Sequence, residues 1–248
     1  MKIPFFENTE DTVRFFQGVL HDMQTSIAIS FHGTEELLYQ KRKKKYDERV
    51  IQNINAACYL TDQLLSNANF ICRHSLGYFQ EYNFSLIDAN HIIKTLERVV
   101  QKTIFLGYYK GLKVCFDKNS FVFPDNTFIH IDDYRVEQGF FNVFHNAIQY
   151  SYQDTEITVS GEKKDANTFR INVVNHGINF TNFDTTRSFE FGWRGEKAMQ
   201  VQRCGQGIGL WVANSILIAH GGSISIESTN GKTTIAFLLP LKQGKEAL

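Results

Sequence analysis

Three short stretches of the 248-residue chain carry residue types that could do chemistry. Cys204-Gly205-Gln206-Gly207-Ile208-Gly209-Leu210 sets three glycines at alternate positions where an apolar helix begins. Glycine lets a backbone come close to a phosphate, and a helix N-terminus adds free N–H groups and a favourable dipole. A glycine turn made only for tight packing gives the same pattern, so this motif draws its meaning from its company. Asn142 and Asn146 stand four apart in a helical stretch, which puts both amides on one face among large apolar neighbours. Amides there need polar partners. Either they are satisfied within the core, or an amide oxygen serves a hard cation such as Mg²⁺ that bridges phosphates. The third stretch is His21-Asp22-Met23-Gln24-Thr25-Ser26. A lone helical histidine is usually a surface residue. His21 follows Leu20, a residue of an apolar seam, so it stands at the rim of a helix bundle where an incoming group can reach it.

The elements that must hold these residues follow from the hydrophobic pattern. Val13, Phe16, Leu20, Met23 and Ile27 alternate steps of three and four, the seam of a bundled helix that fades at Gly33 and ends near Tyr39. The basic run Lys41 to Lys45 reads as a solvated loop. A second seam runs through Val50, Ile54, Ala57, Thr61, Leu64, Ala68 and Ile71. Two long helices joined by a short polar loop form an antiparallel hairpin. One hairpin cannot enclose a core, and pairing two copies into a four-helix bundle solves this, so the pattern predicts a homodimer.

The character changes near Phe84. Asp88 is the expected N-cap of a helix carrying Ile92, Ile93, Leu96 and Val99. A short strand at 112–116, a long helix from about Asp132 to Ser151, and strands at 156–160 and 168–175 follow. Residues 178–204 show neither period and read as a functional lid. A helix at about 207–220 and strands at 223–228 and 233–239 close the chain. The expected fold class is α+β: an N-terminal helical hairpin (1–83), dimerised as a four-helix bundle, then an α/β sandwich (84–248) with helices on one face of a sheet.

Composition narrows the function. Lys plus Arg and Asp plus Glu both number 26, so net charge implies neither nucleic acid nor an anionic membrane as partner. Cys58, Cys72, Cys115 and Cys204 are far apart, which fits reduced, mostly buried thiols of a cytoplasmic protein. The longest apolar stretches, such as Trp211 to Ala219, fall short of the roughly 18 residues a membrane span needs, and acidic residues 7, 10 and 11 interrupt any leader. No membrane insertion is expected. The other histidines, among them His32, His74, His91, His130 and His176, have no metal-ligand spacing.

Taken together, the motifs resemble those of the sensor histidine kinases of two-component systems. Asp132-Asp133-Tyr134-Arg135 leading to Asn142…Asn146-Ala147-Ile148-Gln149-Tyr150-Ser151 resembles that family's N box. Phe189-Glu190-Phe191-Gly192-Trp193-Arg194-Gly195 is similar to its F box, and Gly205-Gln206-Gly207-Ile208-Gly209-Leu210 to its G2 box. His21-Asp22 with Thr25 resembles the H box. The resemblance runs from about Thr12 to Leu241 and implies a Bergerat-type ATP-binding sandwich. It further implies Mg²⁺ held by Asn146 and phosphates supported by Asn142. Gln149 stands where the family usually has Lys, Tyr150 would line the pocket, and Arg194 would approach the γ-phosphate. The backbone and side chains of Gly205, Gly207, Ile208, Gly209, Leu210 and Thr233 would complete the ATP site. His21 would be the phosphoacceptor, activated by Asp22, with Thr25 placing a water for dephosphorylation. Asn175-His176-Gly177-Ile178-Asn179 departs from the family's Asp-x-Gly-x-Gly, though Asn175 keeps an acceptor oxygen for adenine. Ser26 stands where the family commonly has Pro.

The implied activity is ATP-dependent autophosphorylation of His21 and transfer to a response-regulator aspartate. One alternative is an ATP-independent histidine phosphotransferase or pseudokinase with a degenerate ATP domain. Another is a serine-directed kinase of the same ATPase superfamily, which would leave the hairpin unexplained. No sensor domain is visible, so either a separate sensor protein supplies the input or the chain is part of a longer one.

Overall fold

A computed structural model describes residues 9–43, 47–75, 82–201 and 205–243. Lys44, Lys45 and Cys204 lie outside them, as does the Val13 side chain.

Helices α1 (Thr9–Arg42) and α2 (Glu48–Ser75) form the antiparallel hairpin. The α2 seam packs as its spacing predicts, with Ala57 and Ile71 fully buried. The α1 seam divides. Met23 packs against the core, but Leu20 and Ile27 point outward, and among the described side chains of the helix Val19 and Ser26 are the buried ones. Ser26 accordingly takes a different role from a kink-forming proline. Its hydroxyl donates to the Ala57 carbonyl at 2.5 Å and accepts from Thr61 at 2.9 Å, so it staples the two helices together.

The second unit contains β1 (Ser85–Asp88), α3 (His91–Thr103), β2 (Lys113–Asp117), β3 (Thr127–Ile131) and α4 (Asp133–Tyr150). It continues with β4 (Glu156–Lys163), β5 (Thr168–His176), α5 (Asn182–Arg187), α6 (Glu196–Val201) and α7 (Gly209–Ala219). Strands β6 (Ser223–Thr229), β7 (Lys232–Pro240) and β8 (Lys242–Gln243) complete it. Five strands form one sheet in the order β2-β4-β5-β7-β6, with β2 and β4 parallel and the other pairs antiparallel. Phe169, Ile171 and Val173 of β5 and Ile235, Phe237 and Leu239 of β7 alternate into the core, as a half-buried sheet requires. Leu96, Phe140 and Leu217, from α3, α4 and α7, cover that face beside Ile171 and Phe237.

Four expectations are corrected. The helix after Asp88 starts later: Asp88 ends β1, and its carboxylate accepts the N–H of Asn90 at 2.8 Å, so Asn90 takes the N-cap position. Strands β1, β3 and β8 form a small second sheet that short, mixed segments hid from the periodicity. The lid is not structureless. Thr181 and Asp184 make a reciprocal capping box for α5, and the Arg187 guanidinium lies 3.9 Å from the Trp193 ring centroid. Phe180, Phe189 and Phe191 anchor the segment to the core at irregular intervals that show no period. The cysteines are not mostly buried. Cys58 and Cys115 are exposed and Cys72 half-buried, because they occupy outward positions on α2 and on edge strand β2.

Candidate active site

Helix α4 carries the two asparagines because Asp132 caps it, accepting the N–H of Arg135 at 3.0 Å. Its C-terminal end is held by Lys110, whose ammonium donates to the carbonyls of Ile148, Gln149 and Ser151. A cation there also complements the helix dipole. Between α4, the lid, the glycine loop and the hairpin lies a cavity of about 160 Å³.

Most of the expected site residues meet at this cavity. Asn142, Asn146, Gln149 and Tyr150 line it from α4, Arg194 from the lid, and Gly205, Gly207, Ile208, Gly209 and Leu210 from the glycine loop. Gly207 has φ +66°, and an added Cβ would strike the Trp193 carbonyl, so only glycine fits. Asn142 and Asn146 are not equivalent. Asn142 is buried, and its amide is fully engaged by Asn67 of α2 and the Gln138 carbonyl. Asn146 has no protein partner for its amide among the described residues, which suits it to an outside ligand. Those residues contain no cluster of three or more His, Cys, Asp or Glu that could hold a metal by itself. A Mg²⁺ ion would therefore be held by Asn146 together with phosphate oxygens and water. The indole N–H of Trp193 and the side-chain carbonyl of Gln206, both on the cavity, are buried without protein partners. Such atoms are costly unless a ligand or water meets them.

Asn175, Gly177 and Thr233 do not line the cavity. Asn175 faces inward on β5, paired with Thr233 of β7, and its amide donates to the Ser151 hydroxyl at 3.3 Å. Gly177 bridges to Ser151, so these residues brace the end of α4 that carries Tyr150. Asn179, in place of a second glycine, accepts the N–H of Gly231 at 2.8 Å and fixes the turn between β6 and β7.

The stretch His21 to Ser26 lies at the same cavity. Val19 and Asp22 of α1 form part of its wall, while His21 and Thr25 are exposed beside it. The Thr25 hydroxyl donates to the His21 carbonyl at 3.1 Å, an ordinary one-turn helical bond. Burial pushes the Asp22 carboxyl up, opposed by the nearby His21, by a hydrogen bond from Gln206 and by Arg194. An acid that is partly desolvated is suited to take or hold a proton.

Sequence reasoning missed Asn67, His145, Lys197 and Gln206 as wall residues. His145 stacks on Phe141 with centroids 5.3 Å apart and lies 3.3 Å from the Gln149 amide nitrogen. Burial and then Lys110 push its pKa down to about 4, so the ring is neutral and pairs with a neutral Gln149 where the family has a cation. Of these, His145 and Gln206 sit inside motifs that could have pointed to them.

Residues 131–243 match the family of histidine kinase-, DNA gyrase B- and HSP90-like ATPases. Over 126 residues, half of this chain and 21% of the relative, the sequence is 33% identical to the sensor histidine kinase WalK of Bacillus subtilis. The fold is similar to full-length ShkA in complex with AMPPNP, with a TM-score of 0.57, 20% identity, and coverage of 94% of this chain and 47% of that one. It is also similar to the histidine kinase ThkA in complex with the response regulator TrrA, with a TM-score of 0.53, 18% identity, and coverage of 94% and 61%. The chain spans half or less of the length of these curated relatives, among them WalK. Among the described residues no helix is long and apolar enough to cross a membrane.

Proposed function

We propose that this chain, with its ATPase-family match over residues 131–243 and its similarity to sensor histidine kinases, is an ATP-dependent protein-histidine kinase acting on its own His21. The observation that carries the reading is the position of Asp22: the acid beside the phosphoacceptor forms part of the wall of the cavity lined by Asn146, Arg194 and the glycine loop. ATP is the phosphoryl donor. Asn146 would hold Mg²⁺, which screens phosphate charge when bound, and Gly205 to Gly209 would receive the phosphates on backbone N–H groups. Arg194, with Lys197 beside it on the cavity, offsets negative charge on the transferring group.

The chemistry required of the protein is small. The bare ring nitrogen of a neutral His21 attacks the γ-phosphorus, and the bond to the β–γ bridging oxygen breaks with ADP leaving. Asp22 takes or orients the proton on the other ring nitrogen, so the imidazole does not carry a full positive charge. The phosphoryl group then passes to an aspartate of a response regulator, a partner supported by the ThkA–TrrA likeness. In this reading residues 1–83 dimerise and present His21, residues 84–248 bind ATP, and Thr25 assists dephosphorylation.

A second reading, a phosphotransferase with a degenerate ATP domain, is favoured by Asn175 lying behind the cavity wall and by Asn142 being occupied by Asn67. Calorimetric titration with Mg-ATP separates the two. The kinase reading expects saturable binding that Asn146→Ala or Gly207→Ala removes. No heat of binding at millimolar Mg-ATP would leave only the second reading.

A further inference from the structure

Gln206 is the single side chain carried between two glycines of the loop, Gly205 at φ +131° and Gly207 at φ +66°. Those conformations are rare for other residues, so the turn holds Gln206 in one orientation. The side chain runs against α1 at Gly18, where an added Cβ would stand 2.7 Å from Nε2 of Gln206. Gly18 lies one helical turn before Asp22, so both face the loop. Gln206 and Asp22 share the cavity wall, and the Gln206 amide acts on the Asp22 carboxyl as a donor that favours its ionised form, while the amide's own carbonyl oxygen is buried without a protein partner. A glycine inside a long helix is destabilising relative to alanine. Here it opens a notch that admits Gln206.

We propose that Gln206 is a positioning residue for phosphotransfer: it enters the notch at Gly18 and holds the Asp22 carboxylate at the nucleotide cavity, so that closing the glycine loop and readying the acid beside His21 are one event. The proposal rests on the kinase reading and assigns Gln206 no contact with the reacting atoms. Its effect passes through Asp22. The charged groups acting on Asp22 are His21 of its own helix and Arg194 of the lid. Both act on the carboxyl through charge, and the Gln206 amide adds a donor held by the loop.

The test uses the full chain and compares wild type with Gln206→Ala, Gly18→Ala, Asp22→Asn and the double variant Gln206→Ala/Asp22→Asn. Gly18→Ala displaces Gln206 without altering it, and only the flexible end of that side chain must move. Both single changes at the contact should slow labelling of His21 on the order of 10- to 10²-fold, and Gly18→Ala, at a residue outside the cavity wall, should leave Mg-ATP affinity within about threefold. They should also move the acid limb of the pH–rate profile upward, because removing a donor to the ionised form raises an acid's pKa. In the Asp22→Asn background, Gln206→Ala should cost nothing further. Unchanged labelling, losses that add in the double variant, or in Gly18→Ala a loss of ATP affinity matching the loss of rate would overturn the proposal. If the wild type takes no label, the kinase reading has failed by itself. The contact is then still decided by carbon NMR titration of the Asp22 carboxyl, which should rise in Gln206→Ala and in Gly18→Ala; an unmoved Asp22 would dispose of it.

Discussion

Asn67 of α2 and Asn142 of α4 exchange amide hydrogen bonds across the junction of the hairpin and the nucleotide-binding unit, at 2.6 Å in one direction and 3.0 Å in the other. Gln138 also donates to Asn67 at 2.9 Å, so three buried amides satisfy one another. Around them Tyr59 donates to Glu137 at 2.9 Å, and Phe70 meets Trp211 edge-on with centroids 6.0 Å apart. The docked position of the hairpin is therefore specified by polar pairing as well as by packing.

Asn67→Ala should act in two directions. Asn142 and Gln138 lose a buried partner, which should lower stability by about 1–3 kcal/mol. The same change frees the Asn142 amide on the cavity, so Mg-ATP affinity should hold or rise. Urea unfolding and nucleotide titration on the same variant check this. A fall in affinity alongside the fall in stability would mean that the pair supports the nucleotide site rather than competing with it.

His145 gives a pH dependence whose sign is fixed. Its native pKa is pushed down to about 4, against roughly 6.5 in an unfolded chain. Between those values the unfolded state binds the proton and the native state does not, so this residue's contribution to stability falls as pH drops from about 6.5 towards 4. His145→Phe keeps the ring stack on Phe141 and removes the titration. Subtracting the variant's urea stabilities from the wild type's at pH 7 and pH 5 should leave a clear acid loss; equal differences at the two values would contradict the assignment.

The elements legible from the pattern were those whose period is long and clean. Helix α4 could be placed because Asp132 starts it and its buried positions recur without a break, and β5 and β7 because their apolar residues alternate. The lid was not, since Phe180, Phe189 and Phe191 anchor it through tertiary contacts that no local period records, and Trp193 packs within it on Phe183 and Arg187. Within the site, the motif residues on α4 and the glycine loop were legible because phosphate and cation chemistry restricts their types. Asn67 was not. An asparagine on a helix reads as surface until the opposing amide of Asn142 is known. Ser26 was similarly opaque: its value lies in the Ala57 carbonyl, 31 residues away.

The outward stripe of α1 leads to the assembly prediction. Leu20, Ile27, Phe31 and Leu38 are all more than half exposed in the single chain, at steps of seven, four and seven. That is the heptad spacing of a seam awaiting a partner helix. Sedimentation should show a species of about twice 28.6 kDa, and Leu20→Glu with Ile27→Glu should give monomers that remain folded. A wild type that sediments as a monomer at micromolar concentration would remove the case for a homodimer.

The most direct measurement is the chemistry and address of the label acquired from Mg-ATP. The kinase reading predicts a phosphoryl group on a ring nitrogen of His21, lost in acid and retained in alkali, the reverse of phosphoserine. His21→Gln should abolish it while Mg-ATP binding persists, because the acceptor is exposed on α1 and takes no part in the cavity wall. Asp22→Asn should slow it by about 10²-fold or more if Asp22 handles the ring proton. Label that survives acid, or that remains in His21→Gln, would contradict the account.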